Sequence, residues 1–306
     1  MKAPQTIPVL DLQDFIGKKS DVVEQAFVQA FGQALSELGF FALVNHGIEQ
    51  RIINAAYGAA EAFFALPGDT KLHYDLAELK GQRGFTCFGK EHAKDSTAPD
   101  LKEFWHIGRA ENIWPREVPQ FQPMMSALFQ QLEICAGHLM RACAQYLQQP
   151  SRFFATQVAE GSTILRVIHY PPVPANAMPT SQRAAPHEDI NLITLLCEAT
   201  TPGLELLKPD GTWLPIQTDP GQIIVDTGDM LQSLSNGLLK STTHQVVNPN
   251  SSRDRRFSMP FFVHPRPNFD LTPLPECVKR TTGAPKFPSQ TAAQYLHQRL
   301  EEIGLA

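Results

Sequence analysis

The stretch GSTILRVIHY, residues 161–170, is where the chain changes its periodicity. Before Gly161, apolar residues recur at helical spacing; from Thr163 to Tyr170 they follow the twofold rhythm of a strand. Downstream come further strand-like runs at Asn191–Cys197, Leu204–Leu207, Trp213–Ile216, Gln222–Val225, Met230–Leu234, Thr242–Val247 and Arg256–Val263. Turn chemistry separates them, as in Pro209-Asp210-Gly211, Asp219-Pro220-Gly221, Asn236-Gly237 and Asn248-Pro249-Asn250. Eight short strands with such punctuation predict a sandwich or jelly roll rather than a parallel sheet.

Upstream of Gly161 the reading is mostly helical. Ile7–Leu12 alternates as a short strand, and from Asp21 onward Val23, Phe27, Phe31, Ala34 and Leu38 mark a helix that Gly39 terminates. Phe40–Val44 reads as a buried strand. A second helix spans roughly 49–66 and stops at Pro67. Residues 81–118 read as irregular, and a long helix near 121–148 carries Met125, Leu128, Leu132, Cys135, Leu139 and Cys143 on one stripe, as a brace for the β region.

At 306 residues, with 42% hydrophobic and 19% charged side chains, the composition is that of a globular protein with ample core. Net charge is −5 and no Lys/Arg run occurs, which argues against nucleic acid or a membrane as partner. Oligomeric state stays open between a monomer and a weak dimer. Five cysteines without a C-x-x-C pair point to a reducing compartment. The opening MKAPQTIPVLDL has no apolar run of signal-peptide length, so the expected address is cytoplasmic.

The chemistry concentrates in His187-Glu188-Asp189, His244 and Arg256-Phe257-Ser258. Alternate strand residues share a face, so His187 and Asp189 project together and Glu188 points away. Two imidazoles and one carboxylate form a facial set with open positions, which suits Fe(II) and O2. Zn(II) would accept the same three ligands plus a water, but that hydrolase reading leaves Arg256 and Ser258 without a role. A hairpin centred near Asn250 would place Arg256 opposite His244, with Ser258 on the same face as an anion clamp. Of the other histidines, His106 and His169 are candidates for pocket lining. His46, His73, His92, His138, His264 and His297 lack a partner at ligand spacing.

Nearly the whole chain resembles the isopenicillin-N-synthase-like family of Fe(II)- and 2-oxoglutarate-dependent dioxygenases. In the first half the likeness lies in IPVLDL, LSELGFFALVNHGI, FFALP and DLKEFWHIG. In the second it lies in LRVIHYPP, HEDINLITLL, GLELL, GDMLQSLSNGLLKSTTHQVVNP and RRFSMPFF, in the family's order. The resemblance implies a mainly β fold, a double-stranded β-helix (jelly roll) with flanking helices. Residues 1–118 would be its N-terminal helical and mixed region, and 119–306 its catalytic region with bracing helix and C-terminal segment, in one compact unit.

By the same resemblance His187, Asp189 and His244 hold Fe(II), and Arg256 and Ser258 hold the distal carboxylate of the cosubstrate 2-oxoglutarate. Tyr170, in HYPP, would be a further hydrogen-bond donor to that carboxylate. The implied reaction hydroxylates, or desaturates or cyclises, a small-molecule substrate with release of succinate and CO2. Two alternatives stay open: an oxidase of the isopenicillin N synthase type that uses no 2-oxoglutarate, and a catalytically silent jelly roll that binds a metal or ligand. Glu188 resembles the form of the motif in isopenicillin N synthase. That enzyme's C-terminal glutamine, however, has no counterpart in EEIGLA, and this favours 2-oxoglutarate dependence. Ile168 stands where the family often has Asn. Substrate-lining residues are expected from Phe85, Phe88 and Trp105, from strand 163–170, with Arg166 on the face of Tyr170, and from the segment after Pro265.

Overall fold

The computed structural model describes residues 6–79, 81–91, 98–175, 177, 181–248 and 254–302. Three helices form one layer. Helix Asp21–Glu37 starts at Ser20, whose hydroxyl accepts the Val23 N–H at 3.3 Å, and ends before Gly39. Gly39 has φ +73°, and a Cβ there would lie 2.4 Å from the Lys240 carbonyl oxygen, so no other residue fits the turn without displacement. Helix Gln50–Phe64 buries Ile52, Ile53, Ala56, Ala59 and Phe63. Helix Phe121–Tyr146 buries the stripe expected of it, from Met125 through Leu132 to Cys143.

Among the described residues thirteen strands make two facing sheets. In chain order they are β1 (Val9–Asp11), β2 (Phe40–Val44), β3 (Gly84–Thr86), β4 (Glu103–Ile107), β5 (Ile164–Tyr170), β6 (Ala184–His187) and β7 (Ile193–Leu196). There follow β8 (Leu204–Leu207), β9 (Trp213–Pro215), β10 (Ile223–Thr227), β11 (His244–Val246), β12 (Arg256–Ser258) and β13 (Pro260–Val263). The major sheet runs β1-β2-β10-β7-β13-β5-β4-β3, with β12 also beside β5; the minor sheet runs β6-β11-β8-β9. This is the jelly roll, with the helices covering the outer face of the major sheet.

Strand parity divides the core in two. In β2, Phe41 and Leu43 join the cluster under the helices, while Phe40 and Ala42 join the cluster between the sheets. In β5, Leu165 and Val167 face the helices, and Ile168 and Tyr170 face the inter-sheet space. The candidate site residues His187, Asp189, His244, Arg256, Ser258 and Tyr170 line a pocket in that inner space. No helix among the described residues is long and apolar enough to cross a membrane.

Four expectations need correction. Met230–Leu234 is not a strand but lies in helix Asp229–Leu234: Met230, Leu231 and Leu234 are buried together at helical spacing, and Asp229 favours the helix N-terminus. The stretch 81–118 contains β3 and β4, whose residues are short runs broken by glycine and so carry little periodic signal. Arg256–Val263 is two strands, because Pro260 has no N–H for the ladder. The expected pairing of His244 with Arg256 does not occur. β11 pairs with β6 and β8, whereas β12 pairs with β5 in the opposite sheet, since the jelly-roll chain changes sheets between them. Asn250, the centre proposed for that hairpin, lies outside the described residues.

Candidate metal and cosubstrate site

His187 closes β6, and His244 opens β11 in register directly opposite it. The Nδ1 atoms lie 2.7 Å from the Ala185 carbonyl oxygen and 3.1 Å from that of Thr242. A carbonyl only accepts, so each Nδ1 carries the proton and each Nε2 keeps its lone pair. Both Nε2 atoms face the same carboxylate oxygen, Asp189 Oδ1, at 3.9 Å from His187 and 3.7 Å from His244. One ligand atom from each of the three residues falls within 4.8 Å of the others, the only such grouping of three among the described residues. Burial, then the neighbouring His244, pushes His187 down to about 4, which keeps the imidazole neutral as a metal ligand must be.

Strand alternation explains only half of the H-x-D spacing, because β6 ends at His187 and Asp189 lies beyond it. Hydrogen bonds orient Asp189 instead. The Thr194 hydroxyl donates to its Oδ2, Asn191 Nδ2 donates to Thr194 Oγ1 at 2.9 Å, and the Asp229 N–H holds the Asp189 carbonyl at 2.7 Å. Asp226, from β10, lies beside Asp189 with its Oδ1 buried and unpaired among the described residues. Burial first, and Asp189 second, push its carboxyl well above the usual range. The sequence reading missed Asp226; a carboxylic acid inside the apolar run IIVD is the signal that could have found it.

Across the inter-sheet space, Arg256 pairs in register with Tyr170 and Ser258 with Ile168. All four line one pocket of about 60 Å³ together with His187, Asp189 and His244, so the candidate ligands and the candidate anion clamp do converge, from opposite sheets. Arg256 is 2% exposed; its Nε donates to the Thr201 carbonyl at 3.0 Å, and its Nη1 is buried with no partner among the described residues. An orphaned guanidinium N–H of this kind fits a carboxylate. Its carbon lies 5.1 Å from the centroid of the Tyr170 ring.

A second cavity of about 630 Å³ opens on His187 and Asp189. Its wall corrects the expected lining. Phe85 and Trp105 are buried in the core under the helices, and Phe88 is 38% exposed; none of the three reaches the cavity. Parity is the reason: in β4, Trp105 faces the helices while Phe104 and His106 face inward. His106 lines the cavity as expected, whereas His169 points outward and stacks on Phe257 at 4.7 Å. Arg166 is in the wall, paired with Glu91 at 3.2 Å. Glu91, Lys102 and His264 were missed, because each lies alone in sequence and only the fold assembles them. His92 lies outside the described residues.

Residues 7–125 match the family described as non-haem dioxygenase in morphine synthesis N-terminal, and residues 161–265 match the 2OG-Fe(II) oxygenase superfamily. Proline hydroxylase buaE of Petromyces alliaceus is 30% identical over 95% of this chain and 97% of its own. A Caulobacter crescentus protein assigned to the 2OG-Fe(II) oxygenase family superposes with a TM-score of 0.83 and 39% identity, covering 97% of this chain and 98% of that one. A full-length Neurospora crassa protein, solved in complex with alpha-KG, gives a TM-score of 0.87 at 27% identity, covering 98% and 97%. With a donor set suited to iron and a buried arginine suited to a dicarboxylate, the chain belongs to the 2OG-Fe(II) oxygenase superfamily and is a non-haem iron- and 2-oxoglutarate-dependent dioxygenase acting on small molecules.

Proposed function

We propose that His187, Asp189 and His244 hold the Fe(II), and that Arg256, Ser258 and Tyr170 hold the distal carboxylate of 2-oxoglutarate. The observation that carries this is the turning of both Nε2 lone pairs toward one Asp189 oxygen, with each Nδ1–H fixed on a backbone carbonyl. When bound, the iron and cosubstrate supply O2 activation and oxidative decarboxylation, ending in succinate, CO2 and a hydroxylated substrate.

The protein's own residues position and screen. Arg256 presents a planar, always charged fork from a buried strand, and no carboxylate among the described residues takes its Nη1 donor. Ser258 and Tyr170 add hydroxyls on the same inward face. Thr194 fixes the free oxygen of Asp189 and so leaves the other for the metal. A zinc hydrolase would leave that arginine idle. Residues 1–118 and 119–306 act, on this reading, as one compact unit, supported by a hydrophobic cluster that draws on residues from Leu10 to Ala292. Five free thiols support a cytoplasmic address.

The substrate is a small molecule that enters the larger cavity. Relatives differ widely here: one is named a proline hydroxylase, and the Neurospora crassa protein was also solved with thymine. Anaerobic addition of Fe(II) and then 2-oxoglutarate tests the assignment. A weak visible charge-transfer band should appear in the wild type and be lost with the metal in His244→Ala. An unchanged band in His244→Ala would overturn it.

A further inference from the structure

The cavity beside the metal ligands is closed on one side by a guanidinium that the fold has immobilised. Arg166 Nε donates to His106 Nε2 at 2.5 Å, and Nη1 donates to Glu91 Oε2 at 3.2 Å. The plane is flanked by Phe104, at 4.3 Å from its carbon to the ring centroid, and by Phe262 at 5.3 Å. His106 has a fixed tautomer: its Nδ1 is 2.6 Å from the Gly81 carbonyl oxygen and must donate, so Nε2 must accept. Nη2 alone has no hydrogen bond among the described residues. Arg166 lines both the large cavity and the pocket of the metal ligands, so the residue stands where the two meet.

The surrounding charge is already balanced. Lys102 Nζ lies 2.6 Å from Glu91 and 2.7 Å from Asp100, so two cations face two carboxylates in one buried cluster. Leaving Asp189 aside, the described wall of the cavity carries four cationic side chains and five carboxylates. A carboxylate placed at Arg166 would find no uncompensated cation in this cluster and would meet Glu91 at close range; Arg83, elsewhere in the wall, is held by the backbone carbonyls of Gln82 and Ala110 instead of a carboxylate. A neutral carbonyl oxygen would accept from Nη2 with no such penalty.

We infer that Arg166 is a specificity-determining residue and that this enzyme takes a neutral small molecule with a carbonyl acceptor, such as an amide, lactam or imide, in preference to a free carboxylate. The inference rests on the metal and cosubstrate assignment above. A cavity of about 630 Å³ holds a molecule of this size with room for the cosubstrate's neighbouring pocket.

Calorimetry on the anaerobic Fe(II)·2-oxoglutarate protein tests it, using thymine, 2-pyrrolidone and hydantoin, together with the ring-opened acid of hydantoin (hydantoate). At least one neutral probe should bind, and hydantoin should bind at least about tenfold more tightly than hydantoate. Arg166→Gln should weaken the neutral probes by roughly 10- to 100-fold, a larger factor than any loss it causes in 2-oxoglutarate affinity. Glu91→Gln, which uncovers the charge of Arg166, should shift the preference toward hydantoate, a gain that misfolding cannot imitate. Tighter binding of hydantoate than of hydantoin by the wild type would overturn the inference. So would an Arg166→Gln variant with undiminished affinity for the neutral probes. The charge-transfer band in the same samples reports the metal assignment separately: a normal band with inverted probe preference faults only the role of Arg166.

Discussion

Replacing Arg256 by Met removes the guanidinium while keeping a chain of similar length in the same slot. On the proposed assignment the guanidinium would make two charge-assisted hydrogen bonds to the distal carboxylate, which at about 1.5 kcal/mol each amount to about 3 kcal/mol. At about 1.4 kcal/mol per decade this is a weakening of 2-oxoglutarate binding of roughly 150-fold. Lys at the same position keeps a point charge but not the fork, and should recover about a tenth of that loss in affinity. The fold should tolerate the change, because among the described residues Arg256 gives the protein a bond to the Thr201 carbonyl and packing against Tyr170. The melting temperature should therefore move by only a few degrees. The assay is a titration of 2-oxoglutarate into the anaerobic Fe(II) protein, followed by the charge-transfer band, with Fe(II) affinity measured in parallel. A 2-oxoglutarate affinity within about threefold of wild type would refute the reasoning, as would an equal loss of iron.

Thr194→Val should cost about 10- to 100-fold in metal affinity, read by chelator competition, because the Asp189 carboxylate loses the hydroxyl that orients it; unchanged affinity would leave Thr194 a packing residue. Burial, and then Arg166, hold His106 well below its ordinary range, so below about pH 6.5 the unfolded chain takes a proton there that the folded chain refuses. Stability in urea should thus fall as pH drops from about 6.5, and His106→Gln should flatten that slope by up to about 1.4 kcal/mol per pH unit; an unaltered slope refutes the assignment. Leu139→Ala, at a fully buried position of the long helix, should destabilise by about 2–5 kcal/mol in the same assay, and a loss under about 1 kcal/mol would mean the helix is not the brace described.

Much of this was legible because local rules carry it. Gly39 and the stripe from Met125 to Cys143 announce their helices through capping and spacing, and β2 and β8 announce themselves through short apolar runs between turns. The candidate ligand triad stands out in the sequence because its chemistry is rare and ordered, and the fold brings its three residues together. Pairing was not: whether β12 lies beside β11 or in the other sheet depends on contacts that a chain reading cannot weigh, and a hairpin is only the nearest option. The wall of the large cavity was hidden for a related reason. Glu91, Lys102 and His264 become neighbours only when a loop, the start of β4 and the end of β13 meet, and the reading of 81–118 as irregular removed the parity that separates Trp105 from His106.

Of the candidate metal ligands, His187 and His244 lie on the minor sheet and Asp189 just beyond β6, whereas the candidate anion clamp lies on the major sheet. The gap between the sheets therefore works as a calliper for the length of the oxoacid. On the proposed assignment, a diacid one carbon shorter or longer than 2-oxoglutarate should bind more weakly, because it spans the same gap less well. What sets the jaw opening is ordinary apolar volume, Phe40, Leu206 and Ile224 among it, none of which bears the chemistry. Evolution could thus retune which oxoacid such a fold burns by resizing spacers in its interior, with every ligand left in place.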